Sequence, residues 1–182
     1  LQQRNKINEV NVYCGSDLSK WRPKQDYTKS YSASKELGGG VHLDLIHEID
    51  YCYWLFGNPY DVITIKRKVS HLKIDSNDFA VYHLLYPEFT INITLNYYRQ
   101  DARRAIELVM EDGTLYVDLI GADILKDGQH IYKAEGFKME NTYLSQMEYF
   151  VDHIQKRKPL MNDFTEAVEV LKIATAPDAL TR

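Results

Sequence analysis

Residues 38–57, GGGVHLDLIHEIDYCYWLFG, set three glycines directly before a run with helical periodicity and close that run with a fourth. The pattern predicts a helix over 43–56, which Gly57-Asn58-Pro59 stops. At about 100° per residue, Leu45, Ile46, Ile49, Cys52, Tyr53 and Phe56 share one broad apolar face. Asp44, His47, Glu48 and Tyr51 gather on the opposite stripe, which carries no lysine or arginine. Every side chain on that stripe can accept or exchange a proton. Two readings stand side by side. In one, Asp44 caps or charges the helix N-terminus, worth about 0.5–2 kcal/mol, and His47 and Glu48 face solvent. In the other, Asp44 and His47 are neighbours at i and i+3, so the carboxylate orients the imidazole as a base for removing an alcohol proton. The glycines allow positive φ and close backbone approach to a ligand, or form only a flexible turn.

Outward from this stretch, KINEVNVYC (6–14) alternates as a strand, and a long irregular connection follows it. Segments rich in Val, Ile, Thr and Tyr predict strands at 60–72, 78–86, 89–98, 104–111 and 114–119, with one more near 129–134. Asp112-Gly113 marks a hairpin between two of them. Helical patterns return at 142–156 and 164–176, separated by KRKPLMND. Strands segregated from helices imply an α+β fold: an open, mainly antiparallel sheet with helices packed on one face. No GxGxxG occurs and the triglycine follows no strand, so the chain holds no Rossmann domain.

The chain has 182 residues, enough for one domain, at 45% hydrophobic and 26% charged. A net charge of -4 and a pI near 5.9 oppose a nucleic-acid partner. No apolar run nears the roughly 18 residues of a membrane helix. Two cysteines in separate segments, Cys14 and Cys52, make neither a disulfide framework nor a zinc pattern, which suits a cytoplasmic location. The polar start lacks the apolar core of a signal peptide, and opening on Leu1 suggests a piece of a longer chain. A metal site is not expected. His42, Asp44, His47 and Glu48 are potential ligands, but a HExxH site needs a histidine where Tyr51 stands.

The run from Trp21 to Pro59 resembles the C-terminal domain of Gfo/Idh/MocA-type sugar oxidoreductases. Gly38-Gly39-Gly40, Asp44, His47, Asp50 and Trp54-Leu55-Phe56-Gly57 correspond to that family's glycine turn, aspartate, histidine, H-x-x-D continuation and W-[LF]-x-G ending. EDGTLYVD (111–118), SQMEYFVDHIQKRKPLMND (145–163) and TEAVEVLKIATAPDA (165–179) match more loosely. One departure is clear: the family more often has D-x-x-x-H, which would fall on Leu43, whereas this sequence has D-L-I-H. The resemblance implies that the chain is the single substrate and dimerisation domain of an NAD(P)-dependent enzyme. That enzyme would act on a sugar, sugar acid, nucleotide sugar or polyol by hydride transfer. It implies His47 and Asp44 as catalytic residues and Gly39 and Gly40 as cofactor contacts. NAD or NADP would be held by an N-terminal Rossmann domain outside this chain, so the domain alone is expected to be inactive. Subunits are expected to pair through the exposed sheet face.

Around such a site, Arg22, Lys24, Tyr31, Tyr98 and Arg99 offer the stacking surfaces and cations that a sugar or acidic sugar needs. For any one of them, packing or a surface ion pair is the plainer alternative. Two other functions compete with the enzyme. One is a non-catalytic sugar-binding or subunit-pairing module, and the other is metal-dependent hydrolysis through His42, Asp44 and His47.

Overall fold

A computed structural model describes residues 6–179. The first strand, β1 (Ile7–Gly15), alternates as its sequence requires: Val10, Val12 and Cys14 are buried, while Asn11 and Tyr13 point to the other face. The 25 residues that follow, 16–40, are not an unstructured connection. They hold a one-turn helix, α1 (Leu18–Trp21), and 3-10 turns at Tyr27–Lys29 and Tyr31–Ala33. Asp17 and Asp26 each accept a hydrogen bond from the backbone two residues on, which starts α1 and the first 3-10 turn.

The helix predicted over 43–56 is two helices, α2 (Val41–Asp44) and α3 (His47–Phe56). At Leu45 the backbone turns to φ -104° and ψ 25°, and the amides of Ile46 and Glu48 bond three residues back rather than four. A single wheel therefore does not run through the segment. In the restarted helix, Glu48, Ile49 and Cys52 are the buried residues.

Strands β2 (Asp61–Arg67), β3 (Phe79–Leu85), β4 (Thr90–Asn96), β5 (Arg103–Met110), β6 (Gly113–Asp118), β7 (Asp123–Lys126) and β8 (Gln129–Lys133) complete one sheet with β1. The spatial order is β2-β3-β4-β1-β5-β6-β7-β8. Strand β1 lies between β4, which it pairs in parallel, and β5, which runs antiparallel to it, and the other neighbouring pairs are antiparallel. The predicted hairpin is present: β5 and β6 join at Met110 opposite Gly113. A second, unpredicted hairpin joins β7 to β8 through Asp127-Gly128, both at positive φ (50° and 79°).

Two further helices follow, α4 (Met139–Lys156) and α5 (Phe164–Ala174). Asp163 starts α5 with a capping box to Glu166. Val10, Val12, Ile91, Ile93, Leu95, Tyr82 and Leu84 from the sheet pack with Val41, Leu45, Ile49 and Cys52 of the helical segment and Val170, Ile173 and Ala174 of α5. Fully burying each large aliphatic side chain here contributes about 1.5–3 kcal/mol. The architecture is α+β, an open, mostly antiparallel sheet with helices on one face. Among the described residues, no helix is long and apolar enough to cross a membrane.

Candidate active site

The register brings one end of three central strands together. Gly15 pairs with Asn96 on β4 and with Arg103 on β5, and Cys14 pairs with Arg104. Tyr97, the residue after β4, is buried at this end, and Trp21 meets its ring edge-on at 5.4 Å between centroids. The Trp21 indole donates to Ser16 Oγ at 2.7 Å, which fixes the ring.

The Tyr97 hydroxyl donates to Asp44 Oδ2 at 2.6 Å. Burial pushes this hydroxyl far above its ordinary range, and the bond to Asp44 adds to the shift. Tyr97 therefore remains a donor and the Asp44 carboxylate its acceptor. Asp44 is the last residue of α2, and Gly40 rather than Asp44 stands at the cap of that helix. His47 opens α3, with its side chain 47% exposed and Nε2 3.1 Å from Glu48 Oε1. The spacing-based pairing of Asp44 with His47 is thus not formed among the described residues. The break at 45–46 puts the two side chains on separate helices with separate partners.

Glu48 corrects the sequence reading most sharply. Expected on the polar stripe, it is fully buried. Its Oε2 accepts from the Tyr51 hydroxyl at 2.7 Å, and Arg104 Nε lies 2.7 Å from Oε1. Neither Arg104 Nε–H nor His47 Nε2 is well aligned on Oε1, so both contacts have ion-pair rather than hydrogen-bond geometry. Burial, reinforced by the Glu48 charge, pushes the Cys14 thiol up to about 12 and raises Cys52 and the Tyr51 hydroxyl as well. A buried carboxylate this close to an arginine has its charge balanced, which a lone one would not.

The triglycine is needed by the fold itself. A Cβ on Gly39 would lie 2.1 Å from the Tyr31 carbonyl oxygen, and Gly40 sits at φ 135° against the His42 ring. Both glycines are buried, so the cofactor contact expected of them lacks accessible surface in this chain. The same turn places His42 half-buried, with Nδ1 unpartnered, and burial with the nearby Lys66 charge lowers its pKa to about 4. Among the described residues, no three His, Cys, Asp or Glu side chains converge as metal ligands would.

Of the remaining candidates, Arg22 lies over the exposed Tyr31 ring at 5.8 Å, beside the Trp21–Tyr97 pair in sequence and in space. Lys24 is exposed on the following turn. Tyr98 is half-buried. Arg99 turns away: it pairs with Asp101 at 2.7 Å and lies over the Tyr13 ring at 5.0 Å, on the sheet face opposite the helices. The structure therefore groups Trp21, Arg22, Tyr31, Tyr97 and Asp44, sets His47 and Glu48 at the same strand ends, and leaves Arg99 outside. Sequence reasoning did not single out Arg104, placed Glu48 on the polar stripe rather than in the core, and gave Tyr97 no role of its own at the end of its strand. A tyrosine among fourteen carries no signal, and the partner of Glu48 is a residue on a distant strand.

Residues 4–116 match the family described as the GFO/IDH/MocA C-terminal domain. The chain belongs to that family. Among curated proteins no relative matches it. Several solved structures share its fold. UDP-N-acetylglucosamine 3-dehydrogenase GnnA from Acidithiobacillus ferrooxidans superposes with a TM-score of 0.67 at 16% identity, over 93% of this chain and 52% of that one. Myo-inositol 2-dehydrogenase from Lactobacillus plantarum gives 0.69 at 16%, over 94% and 53%. A levoglucosan dehydrogenase in complex with NADH gives 0.78 at 13%, over 94% and 55%. At such identities the likeness establishes the fold, and this GFO/IDH/MocA domain spans about half the length of those relatives.

Proposed function

We propose that this domain forms the substrate wall of an NAD(P)-dependent oxidoreductase acting on a sugar, sugar acid, nucleotide sugar or polyol. The observation that carries the reading is the half-exposed His47 imidazole, set on a buried charged base at the ends of the central strands. Oxidising an alcohol carbon requires removal of its hydroxyl proton, and an imidazole is suited to that near neutral pH. Arg22 and the exposed Tyr31 ring supply a cation and a flat surface beside the Trp21–Tyr97–Asp44 chain for the rest of the substrate. Asp44 serves as a fixed acceptor held by Tyr97. Membership of the GFO/IDH/MocA family and the dehydrogenases that share the fold support this class of chemistry.

The residues present do not fit a dinucleotide: Gly39 and Gly40 are buried and follow no strand. NAD or NADP is therefore assigned to chain outside these residues, and the domain by itself is expected to be inactive. Copies are proposed to pair through the uncovered sheet face. In the complete protein, His47→Asn should lower turnover by about 100-fold or more while leaving the fold intact. Near-normal turnover in that variant would sink the reading.

One observation favours the second reading, a non-catalytic sugar-binding or subunit-pairing module: Asp44 and His47 have separate partners instead of each other. Calorimetry with sugars beside a hydride-transfer assay on the complete protein separates the two. Sugar binding with no cofactor turnover favours the module.

A further inference from the structure

We propose that Glu48 is a positioning residue for His47, holding the imidazole with a proton on Nε2 so that Nδ1 is the atom that accepts the substrate proton. This rests on His47 being the proton acceptor of the proposed function.

Glu48 is the one carboxylate of α3 that is fully buried, and it lies next to the half-exposed His47. A buried carboxylate is retained against its desolvation cost only where partners meet it. Here they come from three directions. Arg104 of β5 approaches Oε1 at 2.7 Å, the Tyr51 hydroxyl donates to Oε2 at 2.7 Å, and His47 Nε2 lies 3.1 Å from Oε1. The Cys14 thiol of β1 faces the same carboxylate, and burial with the Glu48 charge keeps it protonated, so no second anion competes.

Arg104 and Tyr51 thus hold the carboxylate in place, and the carboxylate sets the ring. Nε2 lies 3.1 Å from the Oε1 anion without hydrogen-bond alignment, and at that distance the anion favours a proton on Nε2 over a lone pair. Nδ1 is the nitrogen not engaged with the carboxylate, on a side chain that is 47% exposed, and it is the one assigned to the ligand. When Nδ1 takes the hydroxyl proton, the ring becomes cationic with Nε2–H still against the carboxylate. An acidic partner holding an imidazole in the productive tautomer is the role that a buried aspartate fills in serine hydrolases.

The first test reads the tautomer directly. In the 15N-labelled 182-residue chain, long-range 1H–15N correlation at a pH where the ring is neutral should show His47 protonated on Nε2, with His47→Asn identifying the signal. A proton on Nδ1 overturns the assignment. The second test uses the complete protein. Glu48→Gln should lower kcat roughly 10- to 100-fold per folded molecule with KM within about twofold, because the ring is misplaced rather than the substrate lost. A purely structural Glu48 predicts a smaller folded fraction with unchanged kcat per folded molecule, and that result overturns the positioning role. His47→Asn in parallel separates the two levels. Normal turnover there ends the proposed function itself, whereas an inactive His47→Asn beside an unimpaired Glu48→Gln removes the positioning role alone.

Discussion

His42 lies inside the first turn of α2, half-buried, with Nδ1 lacking a partner. Burial, then the Lys66 charge, lowers its pKa from 6.5 to about 4, while Asp44 pulls the other way. The sign of the linkage follows directly. Between those two values the unfolded chain binds the proton and the folded chain does not, so stability rises with pH across that window. The contribution is fully present above about pH 6.5 and is lost as pH falls through about 4. Thermal unfolding at pH 7, 5 and 4 should therefore show a shallower acid loss in His42→Gln than in the parent chain. A variant that falls as steeply would remove His42 from the account. Tyr97→Phe deletes the 2.6 Å bond to Asp44 and should cost about 1–3 kcal/mol in denaturant unfolding, because a half-buried carboxylate loses a charge-assisted donor. Reactive types at 44 and 47 were visible in the sequence, but their partners were not. The bond that holds Asp44 comes from beyond β4, and no local spacing encodes it.

The segment 41–56 shows what periodicity can and cannot resolve. Helical content, the apolar residues Ile49 and Cys52 and the Gly57 stop were all legible, since each is a local pattern. The break at Leu45 was not, and it shifts the wheel enough to carry Glu48 from the expected polar stripe to the core. The shortened D-x-x-H spacing falls across this break. Glu48→Ala should destabilise the domain by about 3–5 kcal/mol, since it leaves Arg104 without its carboxylate. Chemical denaturation measures this, and a loss below about 1 kcal/mol would mean that the pair is not worth its burial. In the preceding turn, Gly39→Ala should cost about 1–3 kcal/mol or prevent folding, as a Cβ 2.1 Å from the Tyr31 carbonyl forces backbone to move. The β7–β8 hairpin had a signal, Asp127-Gly128, of the same kind as the Asp112-Gly113 that was read. Strand β7 is only four residues long, too short for alternation to stand out.

Across the whole molecule, the helices cover one side of the sheet and leave a polar ladder on the other. His83 Nδ1 meets Asn92 Oδ1 at 2.8 Å, Asn92 donates to Asn11 at 3.0 Å, and Asn11 donates to Glu107 at 3.2 Å, crossing β3, β4, β1 and β5 in turn. Tyr13, Thr94, Arg103 and Tyr116 line a shallow groove on this face. If copies pair there, as proposed, Thr94→Arg sets a new charge in the centre and should shift sedimentation from dimer towards monomer with little change in melting temperature. An unchanged sedimentation coefficient would place the interface elsewhere.

The α+β class, most strands, the β5–β6 hairpin, both C-terminal helices and the GFO/IDH/MocA motif came from the sequence alone, because periodicity, turn residues and stop signals act over a few neighbouring positions. Tertiary structure decided that β1 lies in the middle of the sheet, parallel to β4, and that α2 and α3 part at Leu45. It also decided that Glu48 is buried against Arg104, and that Asp44 answers to Tyr97. Each of these joins groups far apart in the chain, and strand register, which sets which side chains meet across the sheet, depends on the packed whole rather than on any single segment.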